Sequence, residues 1–135
     1  MQISIIGLLA ATMLVGATAL AGQENRVPVS VDPVTMNARG DMWSARTDVD
    51  QDVYIGCSIS TYADGAGGAF RTGWCQAEDA DGDFARCETD SGEMLDAIHA
   101  IDSYSYISFT RDASDQCVHI TVSTQSFYLP ELKAK

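Results

Sequence analysis

Hydrophobic positions in this chain alternate with polar or small ones in several short stretches, a period that is typical of half-buried β-strands. The alternation is clearest over residues 53–60. Two further alternating stretches, residues 104–109 and 117–122, flank a polar turn at residues 112–116 and predict an antiparallel hairpin. The chain is therefore expected to be built mainly of strands.

A second hairpin is predicted around the segment Asp-Ala-Asp-Gly-Asp at residues 79–83. Pairing the first and last residues of this segment leaves a three-residue loop, with Gly82 at the left-handed position of a G1 bulge. In this register Cys75 lies directly opposite Cys87. By contrast, the glycine-rich residues 61–68 are interpreted as a flexible loop.

One segment has the helical period instead. Asp90 or Ser91 can cap a helix that runs to about Ile101, whose apolar positions fall on one face: Met94, Leu95, Ile98 and Ile101. The order of strands, helix and hairpin predicts an α+β fold, in which an antiparallel β-sheet carries one α-helix on one face.

The 135 residues are enough for one domain, and segments at the two ends of the chain leave fewer residues for that domain. We expect a signal peptide at residues 1–21 and an extended segment at 22–37, either a tail or an edge strand. A single α+β domain follows at 38–130, with a loose C-terminal tail at 131–135.

The signal peptide is inferred from the apolar residues 3–15 and from Ala19-Leu20-Ala21, which has the small-residue pattern of a cleavage site. Ala17-Thr18-Ala19 offers a second cleavage site. The start of the chain lacks the usual Lys or Arg, and the alternative is an uncleaved membrane anchor. Cleavage predicts an exported protein, secreted or periplasmic, without a membrane contact afterwards.

In an exported protein the four cysteines are expected to form disulfides, because thiols are oxidised in such a compartment. Four cysteines allow three pairings, and the hairpin register favours Cys75 with Cys87, which leaves Cys57 with Cys117. Their spacing matches no common zinc framework. The fold is therefore expected to be stabilised by two disulfides.

The formal net charge is −11, with 19 acidic residues against 8 basic ones. Such a surface repels phosphate backbones and anionic lipid headgroups. The sequence therefore predicts no nucleic-acid partner.

A set of short motifs resembles a group of small exported bacterial proteins of uncharacterised function. The resemblance covers about residues 34–130 and is carried by Ala38-Arg39-Gly40, Tyr54-Ile55-Gly56-Cys57, the hairpin from Cys75 to Cys87, Tyr106-Ile107-Ser108-Phe109 and Ser126-Phe127-Tyr128-Leu129-Pro130. It implies export and disulfides, and it implies no activity, substrate or catalytic residue.

Alternating carboxylates at Asp79, Asp81 and Asp83 are one candidate for a calcium site, because hard cations bind carboxylate oxygens around glycine turns. An EF-hand is rejected, since Ala77 stands at its first ligand position and no helices flank the loop. A solvated turn explains these residues better. No metal and no cofactor are expected.

The two histidines, His99 and His119, lie in no catalytic motif, and no catalytic residue is assigned. A small hydrolase that uses a His and an acid brought together in space is the alternative function, because such sites are defined by geometry. It requires one imidazole near both a Ser or Cys and an Asp or Glu.

Tyr104 and Tyr106, two residues apart, are predicted to share a strand face. They either cover the sheet or form a binding surface. The function expected from the sequence is that of a small exported, disulfide-stabilised binding domain whose ligand, a protein or a small molecule, is unknown.

Overall fold

The structure is a computed structural model that describes residues 23–130, so the expected signal peptide and the tail at 131–135 lie outside the described residues. The elements in chain order are β1 (Ser30–Asp32), β2 (Asn37–Asp41), α1 (Met42–Arg46), β3 (Tyr54–Ala63), β4 (Ala69–Glu78), β5 (Phe84–Thr89), α2 (Gly92–His99), β6 (Tyr106–Arg111) and β7 (Cys117–Ser123). A 3₁₀ turn follows at Ser126–Tyr128. Over the part of the chain described, no helix has the length and apolar character needed to span a bilayer.

The strands form two antiparallel sheets, one with the order β1-β2-β6-β7 and the other with the order β3-β4-β5. The α+β class is confirmed, although the sequence predicted one sheet. Tight loops close β3, β4 and β5 into a meander, whereas β6 pairs with β2 from far earlier in the chain. Such a long-range pairing leaves no local sequence signal.

The inner faces of the two sheets enclose one hydrophobic core. Ile107 and Phe109 of β6 are its largest fully buried apolar side chains. The meander contributes mainly small residues to the same cluster: Cys75, Ala77, Ala85 and Cys87. Small side chains bury little apolar area, so covalent links matter to the stability of the meander.

Helix α2 forms where the sequence predicted a helix, and it ends at His99, two residues before the expected end. Its buried side chains Leu95 and Ile98 pack against β4 at Gly73. A Cβ atom at Gly73 would lie 2.8 Å from Leu95 Cδ2 and 2.9 Å from Ile98 Cδ1. The glycine therefore allows the helix to approach the sheet closely.

The part of the N-terminal segment that the structure describes, residues 23–37, packs as part of the domain. β1 is an edge strand of the four-stranded sheet, one of the two expected alternatives, and Val29 and Val31 are buried in the core. The Val31 N–H donates to Asp79 Oδ2 at 2.8 Å, which ties this segment to the β4–β5 loop. The domain therefore starts well before residue 38.

Three β-hairpin loops share one design in which an aspartate opens the loop. The Oδ1 atoms of Asp64, Asp79 and Asp112 each accept hydrogen bonds from the backbone N–H groups two and four residues later. The fourth loop residue has a positive φ in each case: Gly67, Gly82 and Asp115. The predicted role of Gly82 is confirmed, whereas residues 61–68, expected to be a flexible loop, include the ends of β3 and one of these ordered turns.

Protonation of Asp64, and of Asp32 in the β1–β2 turn, should lower stability in acid. Hydrogen bonds from the Ala66 and Gly68 N–H groups hold the pKa of Asp64 below its usual value, and bonds from Thr35 and Val34 do the same for Asp32. A depressed folded-state pKa means that the unfolded chain takes up protons first as the pH falls. The stabilisation is thus present above the unfolded-state pKa and is lost as the pH falls through the folded-state value.

We therefore expect the midpoint of thermal unfolding to fall steadily between about pH 5 and about pH 2, measured by circular dichroism. Asp64→Asn should flatten part of that slope, whereas the exposed Val118→Ala, which changes no carboxylate, should leave the slope unchanged. A midpoint that is constant over this range would contradict the role of the loop carboxylates.

The disulfides join Cys57 to Cys75 and Cys87 to Cys117, so the predicted pairing is wrong. The register that motivated it is nevertheless confirmed, since Cys75 lies opposite Cys87. Cys75 also lies opposite Cys57 on its other side. The cysteine at the centre therefore has two neighbours, and backbone hydrogen bonding selects between them.

Hydrogen-bonded and non-hydrogen-bonded pairs alternate along an antiparallel ladder. The Asp79 N–H bonds to the Asp83 carbonyl, so every second pair from there, including Cys75 with Cys87, is hydrogen-bonded. On its other side Cys75 forms a non-hydrogen-bonded pair with Cys57, where side chains stand closer. Their Cα atoms are 4.0 Å apart, and the disulfide forms there.

Candidate functional site

Neither histidine has the surroundings that the hydrolase alternative requires. His119 is exposed on β7, and its Nε2 lies 2.8 Å from Thr121 Oγ1, with no carboxylate bonded to the ring among residues 23–130. His99 is exposed at the end of α2. The structure therefore gives no observation that favours hydrolysis at either imidazole.

The carboxylate of Asp79 serves the fold. Its oxygens accept three backbone N–H groups, from Val31, Asp81 and Asp83. Among residues 23–130, no group of three or more acidic, His or Cys side chains is arranged to hold a metal ion. The structure thus assigns Asp79 a role in closing the loop and anchoring β1.

Tyr104 and Tyr106 do not share a strand face, because Tyr104 precedes β6. Tyr104 packs against Trp43, with ring centroids 6.0 Å apart, and Tyr106 stacks on Tyr128 at 5.5 Å. Both tyrosines are half-buried. Their main contacts are thus with aromatic rings of other elements.

A more exposed set of aromatic rings lies on the outer face of the β3-β4-β5 sheet. We call this surface the aromatic face and define it by five side chains on one side of the three strands: Tyr54, Tyr62, Phe70, Trp74 and Phe84. These are five of the eleven aromatic residues, whereas the core contains only Phe109 and Tyr128 among residues 23–130. Most aromatic area is therefore on the surface rather than in the core.

The rings are grouped in three rows across the strands. Tyr54 and Phe84 flank Glu78 in one row, Trp74 lies in the next, and Tyr62 stacks on Phe70 at the far end, with centroids 5.2 Å apart. Successive rows are four residues apart, which is about 13 Å along a strand. The surface therefore offers three regularly spaced aromatic platforms along one line.

Small and polar side chains separate the platforms: Gly56, Ser58 and Ser60 on β3, and Thr72 and Gln76 on β4. They leave the surface shallow, so an extended molecule can contact all three rows. The exposed fractions of Tyr62, Phe70 and Phe84 are 49%, 53% and 52%. Rings this exposed stabilise the isolated fold little, which favours a role in recognition.

A groove of about 530 Å³ borders the aromatic face at β5. Its walls are Phe84, Arg86 and Glu88 on one side and residues 111–116 of the β6–β7 turn on the other. The Cys87–Cys117 disulfide and a 2.9 Å bond from the Glu88 N–H to the Asp115 carbonyl hold the walls together. The groove is therefore preformed.

Charges in the groove occur as matched pairs. Arg86 Nη2 lies 2.8 Å from Glu88 Oε1, and Arg111 Nη1 lies 2.6 Å from Asp115 Oδ1. The Arg86 guanidinium also lies over the Trp74 ring, 5.6 Å from its centroid. Each pair offers hydrogen-bond donors and acceptors to a ligand, and the pair itself has no net charge.

One ionisation feature accompanies this surface. Partial burial, and secondarily the negative charge of Glu78, raise the pKa of Tyr54. Tyr54 therefore keeps its hydroxyl proton at neutral pH and can both donate and accept a hydrogen bond.

The sequence contained a signal for the aromatic face that was missed. All five rings are at even-numbered positions, and the segment from Asp64 to Gly68 closes the hairpin that places Tyr62 opposite Phe70. Because residues 61–68 were interpreted as a flexible loop, the pairing register of β3 with β4 was not predicted, and neither was the face that the five rings share.

No protein-family model, curated protein or solved structure matches this chain. The resemblance to small exported proteins stays a prediction, and the site must be interpreted from its own chemistry.

Proposed function

We propose that this protein is a binding domain that recognises a neutral, polyhydroxylated polymer, a polysaccharide, along the aromatic face. The observation that carries the proposal is the line of three aromatic platforms on a solvent-facing sheet, spaced about 13 Å apart. Aromatic rings stack on the apolar faces of sugar rings, and exposed polar side chains between them bind hydroxyl groups.

Charge supports a neutral ligand. The net charge of −11 repels polyanions, and the arginines at the adjoining groove are each paired with a carboxylate. Among the described residues, Ser114 and Gln116 form hydrogen bonds to Asp112 through their backbone groups and none through their side chains. Their side chains are therefore available to hydroxyl groups.

The proposed place of action is outside the cytoplasm, secreted or periplasmic. Two disulfides in a chain of this length support an oxidising compartment. The apolar N-terminal residues 3–15 support export by a cleaved signal peptide. A polysaccharide of a cell surface is accessible to a protein exported in this way.

The test is binding of the mature, disulfide-bonded protein to a panel of neutral polysaccharides, including cellulose, chitin and mannan, by calorimetry and by intrinsic fluorescence. In a Trp43→Phe background, Trp74 is the remaining indole and its emission should change on binding. Trp74→Ala should weaken binding at least about tenfold, because aromatic anchors dominate such interfaces.

Val118→Ala is the matched control, since Val118 is 52% exposed on the other sheet and should have no effect on binding. Failure of every neutral polysaccharide to bind would reject the proposal. Binding that survives both Trp74→Ala and Phe84→Ala in folded protein would reject the aromatic face as the site.

A further inference from the structure

Strand β3 has an open edge. It pairs with β4 over ten consecutive residue pairs without a bulge, and no strand from residues 23–130 lies on its other side. The Asp64 N–H to Gly68 carbonyl bond, 3.1 Å long, fixes the alternation, so even-numbered residues of β3 bond to β4. The odd-numbered residues therefore direct their N–H and C=O groups away from the sheet.

These outward groups have no hydrogen-bond partner within residues 23–130: the N–H and C=O of Ile55, Cys57, Ile59, Thr61 and Ala63. Exposed edges of this kind bind other strands unless charges, prolines or bulges protect them. β3 carries no charged residue and no proline. Ten uncharged residues thus form an unprotected edge.

The edge strand next to the groove is protected. β5 contains Arg86 and Glu88, and it is tied to the β6–β7 turn by the Cys87–Cys117 disulfide and a bridge from Glu88 to Gln116. β1 is only three residues long and is followed by Pro33. The two other edge strands, β3 and β7, carry no charged residue and no proline, and β3 is the longer of them, with ten residues against seven.

The sequence of β3 is complementary to itself in one antiparallel register. With Ile59 at a two-fold axis, Cys57, whose backbone N–H and C=O point away from β4, lies opposite Thr61 of a second copy. Tyr62 then lies opposite Gly56. A Cβ atom at Gly56 would meet nothing within 4 Å, so the space above this glycine is open. An aromatic ring across from a strand glycine covers its exposed backbone.

We propose that the chain forms a two-fold dimer in which β3 pairs antiparallel with β3 of a second copy, centred on Ile59. Pairing merges two three-stranded sheets into one continuous sheet. Directly opposed residues of an antiparallel pair point to the same side. The two aromatic faces therefore become one surface of twice the area, widened across the strands.

The net charge of −11 opposes the association of two copies. In this register Asp64 of one copy also lies near Asp52 of the other, offset by two residues from direct opposition. Both aspartates are exposed, so salt screens this repulsion. The dimer should accordingly strengthen as the ionic strength rises.

The experiment is sedimentation equilibrium of the oxidised protein over a range of concentrations at low and moderate salt. Thr61→Pro removes an outward N–H without removing a β3–β4 bond, and should raise the dimer Kd at least about tenfold. Thr61→Val keeps that N–H and the shape of the side chain, and should dimerise like the wild type.

Hydrogen exchange of the wild type provides a second measurement that does not depend on the folding of a variant. The amides of Cys57, Ile59 and Thr61 should become protected as the protein concentration rises, whereas those of Ser58 and Ser60 are protected throughout. A wild type that is monomeric at every concentration, or a dimer that is equally tight in folded Thr61→Pro, would overturn the proposal. These results are independent of whether a polysaccharide binds.

Discussion

Reduction of both disulfides is expected to unfold the domain at room temperature. The bonds close loops with sequence separations of 18 and 30 residues. The chain-entropy relation assigns them about 3 and about 4 kcal/mol, which together approach the whole net stability of a small domain. The meander, which contains three of the four cysteines, contributes mainly small side chains to the core and offers little compensation.

The measurement is far-UV circular dichroism and the dispersion of amide proton signals, with and without a phosphine reductant at constant pH. Removing the pair Cys87 and Cys117 should be more damaging than removing Cys57 and Cys75, because Cys87–Cys117 joins the two sheets, whereas Cys57–Cys75 links strands already paired along ten positions. A reduced protein that keeps native dispersion would contradict this account.

Peptide mapping under non-reducing conditions checks the connectivity directly. We expect one peptide pair that contains Cys57 and Cys75, and another that contains Cys87 and Cys117. A peptide that joins Cys75 to Cys87 would show that a disulfide forms at the hydrogen-bonded pair, and it would contradict the connectivity described above.

Replacing Asp41 by alanine should cost about 3 kcal/mol of folding free energy. Asp41 is fully buried at the start of α1. Its carboxylate accepts the Val27 N–H, the Ser44 N–H and the Ser44 hydroxyl, each at 2.6 Å. The substitution leaves these donors without an acceptor and releases the N-terminal segment from the helix.

Urea unfolding followed by fluorescence measures this loss. Ser44→Ala removes one of the three bonds and should cost about 1 kcal/mol, while Asp41→Asn keeps one acceptor oxygen and should fall between the two. The pKa of Tyr128 provides a separate readout, because burial, Tyr106 and the charge of Asp41 raise it. Asp41→Asn should lower that pKa, and an unchanged titration of Tyr128 would contradict an influence of Asp41 on its hydroxyl.

Local chemistry made part of this fold predictable from sequence. The loop at residues 79–83 was predicted with its left-handed Gly82 because turn preferences act over a few residues. Helix α2 was predicted from its cap and from the spacing of Leu95 and Ile98. Both signals lie within one segment of chain.

Features set by long-range pairing were not predictable in the same way. The pairing of β2 with β6 divides the strands into two sheets, and no neighbouring residues encode it. Tyr104 and Tyr106 were separated because strand β6 begins only at Tyr106. The aromatic face could in principle have been predicted from the sequence. Its prediction required the register of the β3–β4 hairpin, which depends on how Asp64 closes the loop.

The connectivity joins each cysteine to the next one along the chain, Cys57 to Cys75 and Cys87 to Cys117. A polypeptide that is oxidised while it is threaded out from its N-terminus presents Cys57 and Cys75 together before Cys87 arrives. Cys87 then waits for Cys117, the last thiol to emerge. In a chain exported in this direction, the order in which the thiols emerge would coincide with the native connectivity, so oxidation in that order would yield both native bonds without rearrangement.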